Sequence, residues 1–353
     1  MRRFLQLHLL TFYPPANLNR DDTGRPKSAV VGGAPRLRVS SQALKRAWRT
    51  SDAFASALAG HLGSRTQRLG DEIVKHLSTR GVASDAAIKI AREIIPVFGK
   101  AKPEKDLAPT RTEQLAFISP QERGAAMALA ERLADGSKEK VEPDDILRRT
   151  DTAADIAMFG RMLADNPGFN REAAVQVAHA ITTHRVIVED DYYTAIDDLK
   201  KPEEDAGAGF LGETAFGSGV FYLYLCIDRA LLLRNLDGDA DLAATAVAAL
   251  VEAAATVSPR GKQNSFAAHG RAHYVLAEAG DAQPRTLAGA FAKPVEGGGL
   301  MQPSIEALLD FRAKLDTAYN LAATPSQAMN VLAGTGTLDD IITFVRKHGA
   351  IDA

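Results

Sequence analysis

Near the start of the chain Leu5, Leu7 and Leu9 alternate with Gln6 and His8, the period-two pattern of a half-buried β-strand. A turn-rich stretch from Pro14 to Gly33 follows, with Asn, Asp, Gly and Pro supplying the turn chemistry. The next alternation, RLRVS, predicts a short strand with Arg36, Arg38 and Ser40 on one face and Leu37 and Val39 on the other. Ser40 or Ser41 then stands ready to cap a helix running to about Leu58. In that helix Gln42, Lys45 and Arg49 share one stripe, and Leu44 and Trp48 the apolar side. From about residue 60 to 180 the chain turns to Ala, Leu, Glu and Arg and reads as several short helices. Ser119-Pro120-Gln121-Glu122 carries a cap, a first-turn proline and a capping-box acid. Asp155–Leu163 and Glu172–Thr182 are predicted as two more helices. Strand character returns at HRVIVEDDYY (184–193), and after a stretch with five glycines between Gly207 and Gly219, VFYLYLCIDR predicts a buried strand. Asp241–Val257 is an Ala-rich helix, strands are expected around His273–Leu276, and Pro303–Ala318 and Leu338–Lys347 form late helices. Strands at both ends with a helical block between them predict an α+β core carrying an inserted helical lobe.

Length and composition add little: 353 residues, 46% hydrophobic and 24% charged, fit an ordinary folded protein large enough for more than one lobe. No apolar run reaches bilayer length, so no membrane partner is expected. The opening MRRFLQLHLL is interrupted by Gln6 and His8 and lacks a small-residue cleavage site, so it reads as a strand rather than a signal peptide. A single cysteine, Cys226, excludes an internal disulfide and fits a reducing cytoplasm; its apolar surroundings mark a buried, inert thiol.

The basic residues are unevenly spread along the chain. Residues 1–50 hold ten Lys or Arg against two acids, Asp21 and Asp22, which leaves 32 basic and 42 acidic residues for the remaining 303. Arg36 and Arg38 come from one strand face, Lys45 and Arg49 from the following helix, and Arg20 and Lys27 from the loop between the strands. With the open N–H groups of a helix start near Ser40, they make a surface for consecutive phosphates. A solvated basic face balancing the acidic remainder explains the same charges. Lys262, Gln263 and Asn264 either add polar contacts to such a ligand or close their own turn. Met162, on a predicted helix, reads first as core packing.

The search for catalytic chemistry is negative. Gly261-Lys262 is followed by Gln263 and lacks the upstream glycine of a phosphate-binding loop. Gly207, Gly209 and Gly212 match a dinucleotide fingerprint in letters but precede a strand, and no G-x-S-x-G elbow exists. His269 and His273 are spaced i, i+4, with no acid between them and Gly270 against a continuing helix. Glu189, Asp190 and Asp191 read as solvated loop acids. The alternative from another class is a metal-dependent nuclease using His269, His273, Glu189, Asp190 and Asp191.

The stretch NLNRDDTGRPKSAVVGGAPRLRVSSQALKRAWR (17–49) resembles the N-terminal signature of the CasC family, the repeated backbone subunit of the type I-E CRISPR Cascade complex. DIAMFGRMLAD (155–165), AVQVAHAITTHRVIVEDDYYTAIDDL (174–199) and SPRGKQNSFAAHG (258–270) match as well. The resemblance implies a modified RRM-like (ferredoxin-like) palm built from 1–58 and 182–353, a helical fingers insertion over 59–181, and a β-hairpin thumb at 191–219 within the palm. It implies a non-catalytic, cytoplasmic scaffold without cofactor. Copies of it form a helical filament on CRISPR RNA, kink that RNA at regular intervals, and present it to target DNA alongside other Cascade subunits. Carried over by position, Arg20, Lys27, Ser40, Gln42, Lys45, Arg46, Arg49, Lys262, Gln263 and Asn264 grip the RNA backbone, joined by Arg36 and Arg38 from the charge pattern. Met162 wedges against a kinked base, and Phe210, Leu211 and Phe216 of the thumb pack on a displaced nucleotide or a neighbour. An aromatic content of 6% and a first strand without aromatic pairs argue for backbone gripping over base stacking.

Overall fold

The computed structural model describes residues 2–195, 210–321 and 324–349. The leucine alternation opens β1 (Phe4–Ala16), followed by β2 (Ser28–Val31), β3 (Ala34–Val39), α1 (Ser41–Arg49) and α2 (Asp52–Ala57). Next come β4 (Ser64–Thr66), α3 (Leu69–Thr79), α4 (Ser84–Ile94), β5 (Ala116–Ile118) and α5 (Pro120–Ala134). They are followed by α6 (Pro143–Ile146), α7 (Ala154–Phe159), β6 (Val175–Val177), β7 (Ala180–Thr182), β8 (Glu189–Ala195) and β9 (Phe210–Asp228). The chain closes with α8 (Arg229–Asn235), α9 (Ala240–Thr256), α10 (Gln263–Phe266), β10 (Ala272–Gly280), α11 (Met301–Ala318), β11 (Ser326–Asn330) and α12 (Leu338–Gly349).

One nine-stranded sheet runs β11-β10-β1-β9-β7-β3-β2, with β6 and β8 also paired to β9. β1 pairs antiparallel with β10, and β8 forms an antiparallel hairpin with β9 from Glu189↔Phe216 to Ala195↔Phe210. A separate two-stranded sheet joins β4 and β5. The class is therefore α+β, with an antiparallel sheet. Two compact units divide the chain: unit 1 holds Met1–Phe54, Val177–Cys226 and Leu250–His348, and unit 2 holds Ala55–Gln176, Ile227–Ala249 and Gly349–Ala353. Ile227–Ala249, which the sequence boundaries set in the palm, cluster with unit 2. Among the described residues no helix is long and apolar enough to cross a membrane.

In unit 1, α11 and the turn at Ala288–Phe291 cover the sheet, and Leu10, Tyr222, Tyr274, Phe291, Ile305 and Leu308 pack into one core. That cover buries the polar side of β1 as well as the leucines: Gln6 and His8 are inside, so the expected half-buried strand is buried on both faces. His8 is satisfied there by Tyr222 Oη at 2.9 Å and Glu278 at 3.2 Å. Glu278 also accepts from Arg285 at 3.1 Å and Arg312 at 2.9 Å. Burial holds the His8 pKa below its usual value, against the raising effect of Glu278. Burial pushes Glu278 up, but the His8 hydrogen bond and then the Arg285 and Arg312 charges bring it to about 2. The two arginines keep Glu278 ionised while His8 stays neutral and donates Nε2–H, an assignment made from the partners.

A pH dependence follows with a fixed sign. Below pH 6.5 the unfolded chain protonates His8 and the native chain does not, so stability falls as the pH drops. Glu278 adds a second loss as the pH falls from 4.5 towards 2. In urea titrations read by the single tryptophan, Trp48 of unit 1, the wild type should lose about 0.7 kcal/mol per pH unit near pH 6.5 through this group, steepening towards about 1.4 roughly one unit lower. His8→Gln should show a shallower slope there; an unchanged slope would assign the acid sensitivity elsewhere.

In unit 2, α3, α4 and α5 enclose a core that includes Leu69, Ile73, Leu77, Ala91, Ile94, Ala126 and Leu129. Helix α5 begins at the predicted capping box, with Glu122 N donating to Ser119 Oγ and Ser119 N to Glu122. Three sequence expectations are overturned. Glu172–Thr182 is not a helix but contains β6 and β7, because Ile181 pairs with Arg38 of β3 and Tyr222 of β9, and this pairing overrides alanine's helix preference. The helix expected over Asp155–Leu163 stops at Phe159, where Gly160 turns left-handed at φ +79. The helix expected to reach Leu58 breaks after Arg49 and restarts at Asp52.

Candidate nucleic-acid interface

The loop joining β1 to β2 is held by its own polar residues. Asn17 Nδ2 donates to Gly24 O and Ala215 O, each at 2.9 Å, which ties the loop to β9. Lys27 N donates to Asn19 O, and Arg38 N to Lys27 O. Asp21 turns inward, accepting from Thr23 Oγ1 and from the N–H groups of Thr23 and Arg25, and the Thr23 bond holds its pKa below the usual carboxylate value. Asn19 Oδ1 accepts from Ser40 N, and Ser40 Oγ accepts from Ala43 N as the N-cap of α1. The first turn of α1 has no acid and its last carries Arg46 and Arg49, the arrangement favoured by the helix dipole.

This loop, α1 and a distant segment meet in unit 1. Leu18, Asn19, Arg20 and Asp21, Ala43, Arg46 and Ala47, and Pro259, Arg260 and Gly261 line one cleft of about 360 Å³. Gly261 makes the meeting possible: a Cβ there would stand 2.2 Å from Leu18 O and 2.6 Å from Asn17 O. The late segment is braced by Ser258 Oγ on Gly270 and by Gln263 Nε2 on Pro259 O (2.8 Å) and Ala268 O (3.1 Å). Arg260 donates to Thr50 O at 2.6 Å. Arg20, Arg46 and Arg260 therefore share one concavity, with Arg20 and Arg46 exposed. Arg260 lies inside the second motif, yet nothing in the spacing of that motif singled it out.

The other expected residues divide. Arg38 meets His179 Nδ1 at 2.7 Å, and burial, then the charges of Arg38 and Lys27, lower the His179 pKa, so both cations stand near one neutral imidazole. Lys262 takes a left-handed φ of +50, and its Nζ donates to Thr214 Oγ1 of β9 at 3.1 Å. Gln42 and Asn264 are exposed, and Lys45 and Arg49 half-buried. Gln263 closes its own turn, and Ser40 is occupied as a cap. Arg36 is a correction: 1% exposed, it donates to Thr182 O at 2.9 Å and Phe291 O at 2.8 Å, so it braces β3 internally and presents nothing to a phosphate. Period two cannot tell an open position from a covered one, and the strand is covered at Arg36. Phe210 opens β9, but its side chain and that of Leu211 lie outside the described residues. Phe216 lies against Phe266, ring centroids 6.1 Å apart.

Met162 is a second correction, to its first reading as core: it is 80% exposed. Its neighbours hold it out. Arg161 is buried and pairs with Glu122, and it exchanges backbone hydrogen bonds with Arg171. Leu163 is buried, with its N–H on Asn170 Oδ1 at 2.6 Å. In unit 2 Met162 lines a cleft of about 450 Å³ with Arg65, Leu115, Phe117, Phe159 and Ala173. Arg65 and Leu115 have no signal in the sequence. Among the described residues, no group of three or more His, Cys, Asp or Glu is placed to hold a metal ion.

No curated protein matches the chain. A chain of a "CRISPR RNA-guided surveillance complex, pre-nicking" superposes with a TM-score of 0.85 at 30% identity, covering 98% of this chain and 100% of that one. A chain of another "CRISPR RNA-guided surveillance complex" gives 0.74 at 25% identity, covering 97% and 99%. The model of the CT1975-like protein family matches residues 5–343. The resemblance to Cascade backbone subunits read from the motifs is thereby borne out, and the chain belongs to the CT1975-like family of CRISPR-associated proteins.

Proposed function

We propose that this protein is a non-catalytic scaffold that binds CRISPR RNA, assembles with copies of itself into a helical backbone along it, and presents it for pairing with target DNA. Unit 1 serves as an RRM-like palm, unit 2 as fingers, and the β8–β9 hairpin as the thumb that kinks the strand. The observation that carries the reading is the convergence of Arg20, Arg46 and Arg260, from two motifs far apart in sequence, in one cleft. Three guanidiniums lining one groove suit phosphates, and phosphate contacts carry no sequence information. A protein that must hold any guide needs such a grip. Met162, held outward, is the wedge against a kinked base.

The test is to purify the protein from its host with its natural partners and sequence the nucleic acid that accompanies it. Short RNAs of uniform length, each with a repeat fragment and a different spacer, are expected. Protein that emerges free of RNA with its partners present refutes the reading.

A further inference from the structure

The cleft of unit 2 holds more than Met162. The Arg65 guanidinium lies over the Phe117 ring, 4.8 Å from its centroid, and Arg65 is exposed while Phe117 is 4% exposed. The Arg65 guanidinium therefore stands over a buried aromatic. Leu115 at 66% exposure and Met162 at 80% stand at the same cleft. Two large apolar side chains thus stand open to solvent in one concavity. A volume of about 450 Å³ is within the range of small-ligand sites.

We propose that Arg65, backed by Phe117 and flanked by Leu115 and Met162, is a stacking platform for one unpaired nucleobase of single-stranded RNA. This inference rests on the RNA-binding reading above and adds to it a specific base-contacting residue. Planar guanidiniums stack on bases without choosing among them, and the buried Phe117 holds the guanidinium at the cleft before RNA arrives. The positive charge faces the anionic chain that carries the base, and the apolar side chains shield the base from water. Backbone gripping in unit 1 would then be joined by sequence-tolerant stacking in unit 2. The construction is rigid, because Met162 is anchored on both sides by buried neighbours and Phe117 lies on β5.

The experiment uses the full chain and a single-stranded RNA carrying 5-iodouridine at successive positions. After binding and irradiation, crosslinked peptides are mapped, and affinity is measured in parallel. The expected result is crosslinking to the segments containing Phe117 or Met162. In both Arg65→Ala and Arg65→Lys these crosslinks should be lost and binding weakened about threefold to tenfold, because lysine keeps the charge but has no planar face. Wild-type behaviour of Arg65→Lys would reduce the contact to charge and overturn the platform. So would RNA bound at wild-type affinity with crosslinks mapping elsewhere. If Leu115→Ser changes only the association of copies and not the crosslinks, the cleft belongs to a protein neighbour, and the inference also fails. Absence of any RNA binding would sink the functional reading itself, a result distinct from the others.

Discussion

Replacing Arg20, Arg46 and Arg260 together by glutamate is expected to weaken RNA binding on the order of a hundredfold at about 0.1 M salt. The three line one cleft of unit 1 with a single acid, Asp21, so the cleft keeps a net positive charge. Each lost phosphate contact on a single strand should flatten the slope of log K against log salt by about 0.7, so the triple variant should lose about two units. The loss should be the same for guides of unrelated sequence, because phosphates are common to all. Gel-shift titrations across salt with several guides measure both quantities. A loss that varied with the guide would mean base readout in this cleft, and an unchanged slope would mean that the cleft does not touch phosphate. The fold should persist, since Arg20 and Arg46 are exposed.

Arg161→Met should have the largest effect on stability. Arg161 and Glu122 are buried with side-chain exposures of 1% and 0%. Glu122 also accepts from the N–H groups of Ser119 and Arg148, so it locks the start of α5 to the following loop. Arg161 donates further to the carbonyls of Phe117, Arg148 and Phe169. Removing the cation strands a buried carboxylate, a change that costs about 3–5 kcal/mol. That is a large share of the roughly 5–15 kcal/mol that holds a domain together. The expected readout is an early loss of helical signal in urea. Pairing it with Glu122→Gln should restore much of the loss, since the stranded charge is then gone. A single variant within about 1 kcal/mol of wild type would show that the pair is dispensable. The same change should loosen Met162, whose outward position depends on Arg161.

Local pattern revealed those parts of the fold that depend on local chemistry. The start of α5 was legible because Ser119 and Glu122 cap it within four residues, and α9 because its alanine run has no competing signal. The burial of β9 was legible from its unbroken apolar stretch. Strands β6 and β7 were hidden because their partners, β3 and β9, are remote, and an alanine-rich segment looks helical until it is paired. Arg36 was misplaced for a related reason: its acceptors, Thr182 O and Phe291 O, come from distant turns of the chain. In the site, the basic residues of the N-terminal loop and α1 could be read from charge alone. Arg260 could not, because what makes it a neighbour of Arg46 is the close approach of Gly261 to Leu18. The Arg65–Phe117 stack was invisible, since β4 and β5 are short and separated by two helices.

The position of β1 has a consequence in time. It lies between β10 and β9, and its Leu9 stands opposite Val275. A ribosome delivers β1 first and β10 nearly last. At about 5–20 residues per second, that delay is roughly 13 to 53 s. During that interval β1 lacks the strand that borders it on one side, and Arg260 has not joined the cleft. The nascent chain therefore lacks the complete cleft until Pro259, Arg260 and Gly261 have been made. Strand order alone thus delays the complete cleft until about three-quarters of the chain has been made.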